Sequence, residues 1–456
     1  NRTASEANYD LLVNFNKNIN EDITFKGLLG SNLRRNYLSS IFAETNGGLA
    51  IRDFYALSSS VNLINPPVEK YERVAVDGLF ASVNLGYKEL VFVDGSIRRD
   101  QSTTLPIENN SYWYPSIAGS FVFSNLLKEL SWLSYGKARL NYAEVGNDAA
   151  ALSLYDTYTI TTVFGSNMLT SLPINKNNAN LKPERTRSVE AGVEANFMDG
   201  RFGIDFSYYR STSVDQIMAV DVSTTTGYGR NFVNAGTVRN QGVELSAFVL
   251  PVRAPNFSWT LNLNFSKNKN KVVELYGSNT NLQLGTFQGG VTLNATVGQP
   301  FGTLRGRDLV YLNGEKVVGE DGYYAQGPAN SVIGDVNPDW QGGIQNNFRY
   351  KKLSLSFLVD IKKGGSVFSL DQYYGQATGI YPESAGLNDL GNPKRIPISE
   401  GGGVVLPGVQ ADGSPNTVRV EAFDNAVTPY GYANNPQAAF VYDAGFVKLR
   451  EAALTY

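Results

Sequence analysis

The chain has 456 residues, a net charge of −3, and neither cysteine nor histidine. These absences exclude disulfides, Cys-based zinc or iron–sulfur sites and a Ser-His-Asp triad, and the charge gives no basic field for a nucleic-acid partner. Charged residues are 18% of the chain, below the roughly 25% of ordinary soluble domains. Glycine and aromatics are over-used, with 45 Gly, 24 Phe and 26 Tyr.

Alternation of apolar and polar residues is the main pattern in the chain. No stretch approaches 18 consecutive apolar residues, so no transmembrane helix is predicted. In 257–266, by contrast, Phe257, Trp259 and Leu261 alternate with polar residues, and a strand places such sets on opposite faces. The segments 202–209 and 353–361 repeat the pattern. Several of these runs are long enough to cross a bilayer as tilted strands.

In chain order, the pattern predicts an all-β protein of about thirteen strands. They are expected at about 8–16, 22–34, 71–87, 90–99, 113–123, 137–145, 184–197, 202–210, 236–250, 257–266, 342–350, 353–361 and 446–456. Helical periodicity is almost missing, and its one candidate, at 125–132, is interpreted as a turn-like connector. Tight links are predicted at 88–89, 198–201, 251–256 and 351–352, and long polar excursions near 35–70, 146–183, 211–235, 267–341 and 362–445.

Short turns that alternate with long loops are typical of an antiparallel outer-membrane β-barrel. An odd number of strands cannot close such a barrel, because the seam would pair parallel strands. The chain also stops at Tyr456 inside a predicted strand. We therefore expect part of a larger barrel. A soluble β-sandwich or propeller is the alternative, although strands there are usually about five or six residues long.

Several short strings occur in an order that resembles one family. They are Asn-Leu-Lys-Pro-Glu at 180–184, Asn-Ala-Gly at 234–236, Asn-Gln-Gly-Val-Glu at 240–244, Gly-Asp-Val-Asn-Pro-Asp at 334–339 and the final segment 446–456. Their order is similar to that in the SusC/RagA branch of the TonB-dependent transporters of Bacteroidetes outer membranes. Each string is weak alone, and the combination carries the resemblance.

The resemblance implies a partial transmembrane barrel, about 13 of some twenty-two strands around a plug. Residues 1–456 would then be part of one barrel, with the plug, the N-terminal domain and the last strands outside this chain. It implies TonB-dependent import of oligosaccharides or peptides across the bacterial outer membrane. Expected partners are TonB, a SusD-like surface lipoprotein and outer-membrane lipid, with no catalysis and no cofactor. The rival hypotheses are a non-transporting scaffold and a soluble extracellular adhesin.

Aromatic residues in or beside the predicted loops are the candidate ligand contacts. Tyrosine and tryptophan stack on the apolar faces of sugars and peptides while hydrogen-bonding their polar groups. The candidates are Tyr112, Trp113, Tyr114, Tyr323, Tyr324, Tyr373, Tyr374 and Tyr381. For residues 112–114, an aromatic girdle at the lipid interface is an equal alternative. For Tyr373 and Tyr374, contact with a ligand or partner is favoured.

Two other chemistries are not favoured by the sequence. Glu190 and Glu194 share a strand face, but at about 3.3 Å per residue they lie about 13 Å apart, too far for a glycosidase pair. We interpret them as facing a watery interior. The segment 313–322 lacks the alternating oxygen ligands of a calcium loop, so no metal is expected there.

Overall fold

A computed structural model describes residues 1–160, 164–165, 167–423 and 428–456. Its largest sheet has thirteen strands that follow one another in chain order, which confirms the predicted all-β fold and strand number. The strands are β1 Arg2–Asn18, β2 Ile23–Phe42, β3 Val68–Tyr87, β4 Val91–Ser102, β5 Ser111–Phe121, β6 Leu133–Asn147, β7 Glu184–Phe197, β8 Phe202–Val214, β9 Thr237–Arg253, β10 Phe257–Glu274, β11 Trp340–Tyr350, β12 Leu353–Lys363 and β13 Phe446–Thr455.

The chain divides into two compact units, of which the first comprises Asn1–Gln241 and Val273–Ser278. It contains β1 to β8, and each of these strands pairs antiparallel with the next. The predicted tight link between β3 and β4 is present: Lys88 and Glu89 have φ values of 51° and 53°. Positive φ at both central residues is the type I′ geometry, whose twist matches that of paired strands.

In the first unit, the two faces of the sheet differ in chemistry. One face, called the apolar face below, exposes large apolar side chains that the strand register brings to the same side: Leu29, Leu79, Ile97, Ile117, Leu140 and Val189. The opposite, polar face carries hydrogen bonds between strands, such as Asn84 Nδ2 to Asp94 Oδ1 at 2.6 Å and Ser96 to Ser116 at 2.6 Å. The apolar residues of the alternating pattern therefore face the surroundings of the sheet, and the polar residues lie on its other face.

Most of the buried apolar residues lie in the connections. In the first unit, Leu105, Ala149 and Leu181 form a buried cluster between strands, and Tyr112 packs against it. Leu181 belongs to the Asn-Leu-Lys-Pro-Glu string and is fully buried. That string therefore has a packing role ahead of β7.

The second unit comprises Gly242–Val272 and Asn279–Tyr456. Here β10 pairs with β11, β11 with β12 and β12 with β13, all antiparallel. Its connections, expected as long polar excursions, form ordered sheets. One has four strands, Asn281–Thr286, Thr292–Thr296, Phe301–Gly306 and Ser331–Asp335; two-stranded ones pair Tyr311–Leu312 with Glu315–Lys316, Ser366–Phe368 with Val441–Asp443, and Val404–Val405 with Arg419–Val420.

Connections in the first unit also contain short elements. Asn46–Leu49 pairs with Ser60–Asn62, Thr159–Ile160 pairs with Thr170–Ser171, and Arg230–Asn234 lies between Asn175–Lys176 and Ile217–Asp221. Several long strands extend beyond their predicted ends, so the excursions are shorter than expected; β2 reaches Phe42 and β10 reaches Glu274. The Asn-Ala-Gly string begins at Asn234, the last residue of the strand Arg230–Asn234.

The segment 125–132, expected as a turn-like connector, has that character in the structure. It begins within a short 3₁₀ helix, Phe123–Leu126, and continues as turns. The α-helix of the described chain, α1, is Leu370–Thr378, which the pattern did not indicate. Ser369 Oγ accepts a hydrogen bond from Gln372 N, and Gly379 ends the helix with φ of 70°, so local capping fixes both ends. Within the described residues, no helix combines the length and apolar character needed to span a bilayer.

Candidate ligand-binding site in the long loops

The strand geometry separates the three aromatic residues at 112–114. All three lie in β5, where successive side chains point to opposite faces. Trp113 is 54% exposed. It lies on the apolar face, because it is four residues from Ile117 in the same strand. Tyr112 and Tyr114 lie on the polar face, with stacked rings whose centroids are 5.9 Å apart. The three residues therefore do not form one site.

Tyr114 belongs to a charged group on the polar face. Its hydroxyl donates a hydrogen bond to Asp100, and Arg98 Nε donates to the same carboxylate at 2.8 Å. The Arg98 guanidinium also lies 5.3 Å from the ring centroid of Phe80. Asp100 is thus shared by a phenol and a guanidinium, an arrangement that fixes both donors.

A second charged group on the polar face centres on Arg139 in β6. Its Nη2 donates to Asp205 Oδ1 at 2.7 Å and to Ser207 Oγ at 2.6 Å, and its Nε lies 3.6 Å from Glu190 Oε1. Gly192 provides the room, because a Cβ there would lie 2.7 Å from the guanidinium. Glu190 is therefore an ion-pair partner, as the sequence interpretation of a polar interior suggests.

Five aromatic rings form a cluster around α1, called the aromatic cluster below. Its members are Phe368, Tyr373, Tyr374, Tyr432 and Phe440. Tyr373 is central: its ring stacks on Tyr432 at 4.9 Å and meets Phe440 edge-on at 5.2 Å. Phe440 is buried, whereas Tyr374 and Tyr432 are 38% and 44% exposed. The cluster therefore has a buried base and an exposed aromatic surface.

Polar contacts hold the exposed surface in position. Gln288 Nε2 donates to the Tyr374 hydroxyl at 3.0 Å. Gly289, with φ of 90°, lies against Phe368 and Tyr373, and a Cβ there would lie 3.0 Å from the Phe368 ring. Burial, and then the neighbouring phenols, raise the pKa of Tyr373. Its hydroxyl stays protonated at physiological pH and is available as a hydrogen-bond donor.

Tyr381 lies just after α1 and contacts the helix. Its hydroxyl donates to the Asp371 carboxylate in the first helical turn. That hydrogen bond is the main reason that the pKa of Tyr381 is raised. The ring also lies over Gly375, where a Cβ would be 2.4 Å away. Tyr381 supports the helix that carries Tyr373 and Tyr374.

Tyr323 and Tyr324 pack against a second buried cluster. Its members are Val404, Leu406, Val420 and Ala422, and Tyr430 contacts it as well. The Tyr324 hydroxyl donates to the Pro407 carbonyl at 3.1 Å, and Lys316 Nζ lies 4.8 Å from its ring centroid. Burial raises the pKa of Tyr324. These contacts give both tyrosines a packing role in the loops.

A polar cleft of about 460 Å³ opens beside this buried cluster. Charged and amide side chains line it, with Tyr430 on one wall: Asn388, Asp389, Lys394, Asn416 and Arg419. Arg419 Nη2 donates to both Asp389 oxygens, at 2.7 and 2.6 Å. That hydrogen bond lowers the pKa of Asp389. Sequence reasoning missed Tyr432 and this cleft, although Tyr430 and Tyr432 form a Tyr-Gly-Tyr string.

The segment 313–322 forms turns. Asn313 and Gly314 connect the hairpin strands Tyr311–Leu312 and Glu315–Lys316, with φ of 53° and 88°. Asp321 Oδ1 accepts a hydrogen bond from Tyr323 N at 3.1 Å. One carboxylate is thus engaged by the backbone, and the expected absence of a metal stays a prediction.

An antiparallel sheet in chain order, with one apolar and one polar face and long structured loops, is typical of the wall of an outer-membrane β-barrel. The family model described as "TonB dependent receptor-like, beta-barrel" matches residues 2–397. The chain belongs to this family. The apolar face therefore faces outer-membrane lipid and the polar face the barrel interior.

Relatives agree with this assignment, and a solved structure has a similar fold. TonB-dependent receptor P26 of Formosa agariphila is 25% identical over 448 residues, 92% of this chain and 42% of that protein. TonB-dependent receptor SusC of Bacteroides thetaiotaomicron is 30% identical over 194 residues, 40% of this chain and 19% of that protein. A chain of the RagAB peptide transporter aligns with a TM-score of 0.77 at 19% identity, covering 100% of this chain and 49% of that one. The chain thus spans less than half the length of each.

Proposed function

We propose that this chain supplies barrel wall and extracellular loops to a transporter that imports oligosaccharides or peptides across the outer membrane. The observation that carries the proposal is the aromatic cluster: Tyr374 and Tyr432 expose their rings, while Phe440 beneath them is buried. A fixed aromatic surface with hydroxyl groups at its edge suits ligands that present apolar faces beside polar groups. Energy for import would come from TonB, acting on a plug within the barrel.

The polar cleft would provide a second type of contact for the same ligands. Amide, carboxylate, ammonium and guanidinium groups line it, and such groups hydrogen-bond sugar hydroxyls and peptide backbones alike. Tyr430 lines the cleft and Tyr432 belongs to the aromatic cluster, with Gly431 between them. A ligand that bridges both would be extended, as an oligosaccharide or a peptide is.

A SusD-like surface lipoprotein is the proposed partner, and it would rest on the structured loops. Within the second unit, those loops carry the four-stranded sheet, α1 and the hairpins. An ordered surface loses little conformational entropy on docking a partner. No enzymatic step is proposed for this chain, and the family it belongs to is one of receptors and transporters.

The test is uptake in the organism that makes the protein. A strain lacking the gene would be grown on purified oligosaccharide or peptide fractions as the sole carbon source, and would be complemented with the natural gene or with Y374A/Y432A. Tyr55, which is 84% exposed in another loop, supplies the control variant Y55A. We expect the gene and Y55A to restore growth, and Y374A/Y432A to restore it poorly.

Collapse of the proton-motive force separates a transporter from a scaffold. Uptake of a labelled fraction by the natural protein should stop on addition of an uncoupler, while surface binding persists. Growth of the deletion strain on every fraction at the natural rate would refute import. Uptake that continues unchanged after the uncoupler would refute TonB coupling.

A further inference from the structure

Three arginines gather on the lipid-facing side of β7 and β8. Arg185 and Arg187 alternate with Thr186 along β7, so both point to the apolar face. Arg210 of β8 lies opposite Val189, one of the residues of that face. All three residues are exposed. Charged side chains on this face are unexpected, because it faces hydrocarbon over most of its height.

Among the described residues, Glu144 is the carboxylate that pairs with Arg185 and Arg187. Glu144 of β6 lies opposite Arg187 in the register, and its oxygens are 3.7 Å from Arg185 Nε and 3.5 Å from Arg187 Nε. These distances exceed those of charge-assisted hydrogen bonds, about 2.7–2.9 Å. The Glu144 side chain is 13% exposed, whereas those of Arg185 and Arg187 are 45% and 49% exposed. The group therefore carries a net positive charge and has accessible guanidiniums.

The height of the group on the strand indicates its environment. Below Arg185 and Arg187, toward the short 198–201 turn, Val189 and Val193 are exposed apolar residues of β7, and Leu140 is one of β6. Arg210 lies level with Val189. From Phe197 to Arg187 the strand advances about 33 Å at 3.3 Å per residue, which is about 23 Å along the membrane normal at a tilt of about 45°. An apolar band is about 25 Å tall. Arg187 therefore lies at its upper border, where the outer-leaflet headgroups begin.

We infer that Arg185, Arg187 and Arg210 bind the phosphate of an anionic outer-leaflet lipid. Guanidinium groups match phosphate oxygens in charge and in the geometry of paired hydrogen bonds. The apolar surface beneath them would hold the acyl chains of the same lipid. Tyr142, whose hydroxyl donates to Glu144 Oε1 at 2.5 Å, keeps that carboxylate beside the arginines. Glu144 therefore acts as a weak internal competitor for the phosphate.

The experiment measures lipid binding by the full-length protein in detergent micelles, with diphosphoryl lipid A as the probe. Dephosphorylated lipid A and inorganic phosphate form the comparison arms. The variants are R185Q/R187Q, R185K/R187K, E144Q and R201Q. Arg201 lies in the turn at the opposite end of β7, so R201Q removes one positive charge away from the group. Folding of each variant is checked by its heat-dependent electrophoretic mobility.

We expect R185Q/R187Q to bind diphosphoryl lipid A about 25-fold more weakly, because each arginine near an anionic headgroup contributes about fivefold. R185K/R187K should retain only part of the affinity, because lysine keeps the charge but loses the paired hydrogen bonds. R201Q should retain all of it. E144Q should bind more tightly, by severalfold, which a purely structural role of Glu144 would not produce. Dephosphorylated lipid A should bind weakly to every variant.

Several results would overturn the inference. Equal binding of diphosphoryl lipid A by folded R185Q/R187Q and the natural protein is one. Equal affinity for the phosphorylated and dephosphorylated lipids would mean that the apolar surface alone accounts for binding. Displacement of the lipid by inorganic phosphate at equal concentration would assign the site to the free anion.

Discussion

The rings of Tyr373 and Tyr432 stack with centroids 4.9 Å apart and planes 16° apart. Tyr373 lies in α1, and Tyr432 lies far along the same excursion. Their contact ties the helix to the end of the loop that returns toward β13. The ring of Tyr432 also contacts that of Tyr374, with centroids 5.4 Å apart. Tyr432 therefore packs against both neighbouring tyrosines of α1.

Replacing Tyr373 should loosen this part of the loops. Tyr373→Ala removes ring contacts with Phe368, Tyr374, Tyr432 and Phe440. We expect a local loss of about 2–3 kcal/mol, at the low end of values for aromatic truncation because the ring is half-buried. Faster amide hydrogen exchange in α1 and in the 3₁₀ helix Gln437–Phe440, followed by mass spectrometry, is the measurement.

Tyr374→Ala is the matched comparison, since Tyr374 is the next residue and is 38% exposed. It should cost below about 1 kcal/mol and leave hydrogen exchange in Gln437–Phe440 nearly unchanged. Ligand affinity, by contrast, should fall in both variants. Equal exchange rates for Tyr373→Ala and the natural protein would show that the stack does not hold the loop.

Arg139 should be needed for stable assembly of the wall. Arg139→Gln leaves Glu190 and Asp205 without the guanidinium that now lies between them. We expect a loss of about 1–2 kcal/mol, combining the charged hydrogen bond to Asp205 with an ion pair that is partly exposed. The measurement is the temperature at which the detergent-solubilised protein loses its folded electrophoretic mobility.

A second substitution tests whether charge is the cause. Arg139→Gln with Asp205→Asn removes one cation and one anion, so the double variant should recover part of the lost thermal stability. Asp205→Asn alone keeps Arg139 beside Glu190 and should cost less than Arg139→Gln. If the double variant lowered the melting temperature by the sum of the two single decreases, the two residues would not be coupled.

The barrel strands could be predicted from the sequence because their pattern is local. Every second residue of a strand faces the surroundings, as Ile97 does in β4 and Ile117 in β5. A period of two is therefore kept along each strand. Loop structure could not be predicted in this way. Val404 and Val420 pair in a two-stranded sheet whose strands have two residues each, too few to show any period.

The candidate site can be predicted from the sequence only where its residues are neighbours in the chain. Tyr373 and Tyr374 attract notice as adjacent tyrosines, but their partner Tyr432 is brought to them only by tertiary structure. Similarly, Asp389 and Arg419 have no sequence signal that pairs them. Trp113, by contrast, is adjacent to Tyr112 and Tyr114 in the sequence, but strand alternation places its side chain on the other face of the sheet.

The Asp389–Arg419 pair gives the polar cleft a defined dependence on pH. Because the hydrogen bond from Arg419 lowers the pKa of Asp389 below its ordinary value of 3.8, the pair is intact above that value. It is lost as pH falls through the lowered pKa. We expect the rate of carbodiimide labelling of Asp389, which rises with the protonated fraction of the carboxyl, to reach half of its plateau below pH 3.8. Peptide mass spectrometry of the labelled protein provides the midpoint.

Arg419→Gln should raise the labelling midpoint of Asp389 toward 3.8. Asp412 is the internal control, because hydrogen bonds from Ser414 lower the pKa of that carboxyl. Its midpoint should be the same in both proteins. If Arg419→Gln left the midpoint of Asp389 unchanged, the pair would not control the protonation of the cleft.

Gly30 is expected to tolerate no side chain while Phe80 is present. A Cβ on Gly30 would lie 2.2 Å from Phe80 Cζ and 3.0 Å from Leu12 Cδ2. Gly30→Ala must therefore displace the Phe80 ring, which now lies 5.3 Å from the Arg98 guanidinium. Overpacking of this kind costs about 1–3 kcal/mol. A lower yield of folded protein in the outer membrane and a lower melting temperature are the expected results.

Gly95 provides the control, since a Cβ there would meet nothing within 4 Å. Gly95→Ala changes the same residue type in β4 of the same sheet and should leave folding unaffected. Combining Gly30→Ala with Phe80→Leu removes the ring that the new methyl group meets, so the double variant should melt above Gly30→Ala alone. A double variant no more stable than Gly30→Ala would show that backbone conformation, and not the Phe80 ring, requires glycine at position 30.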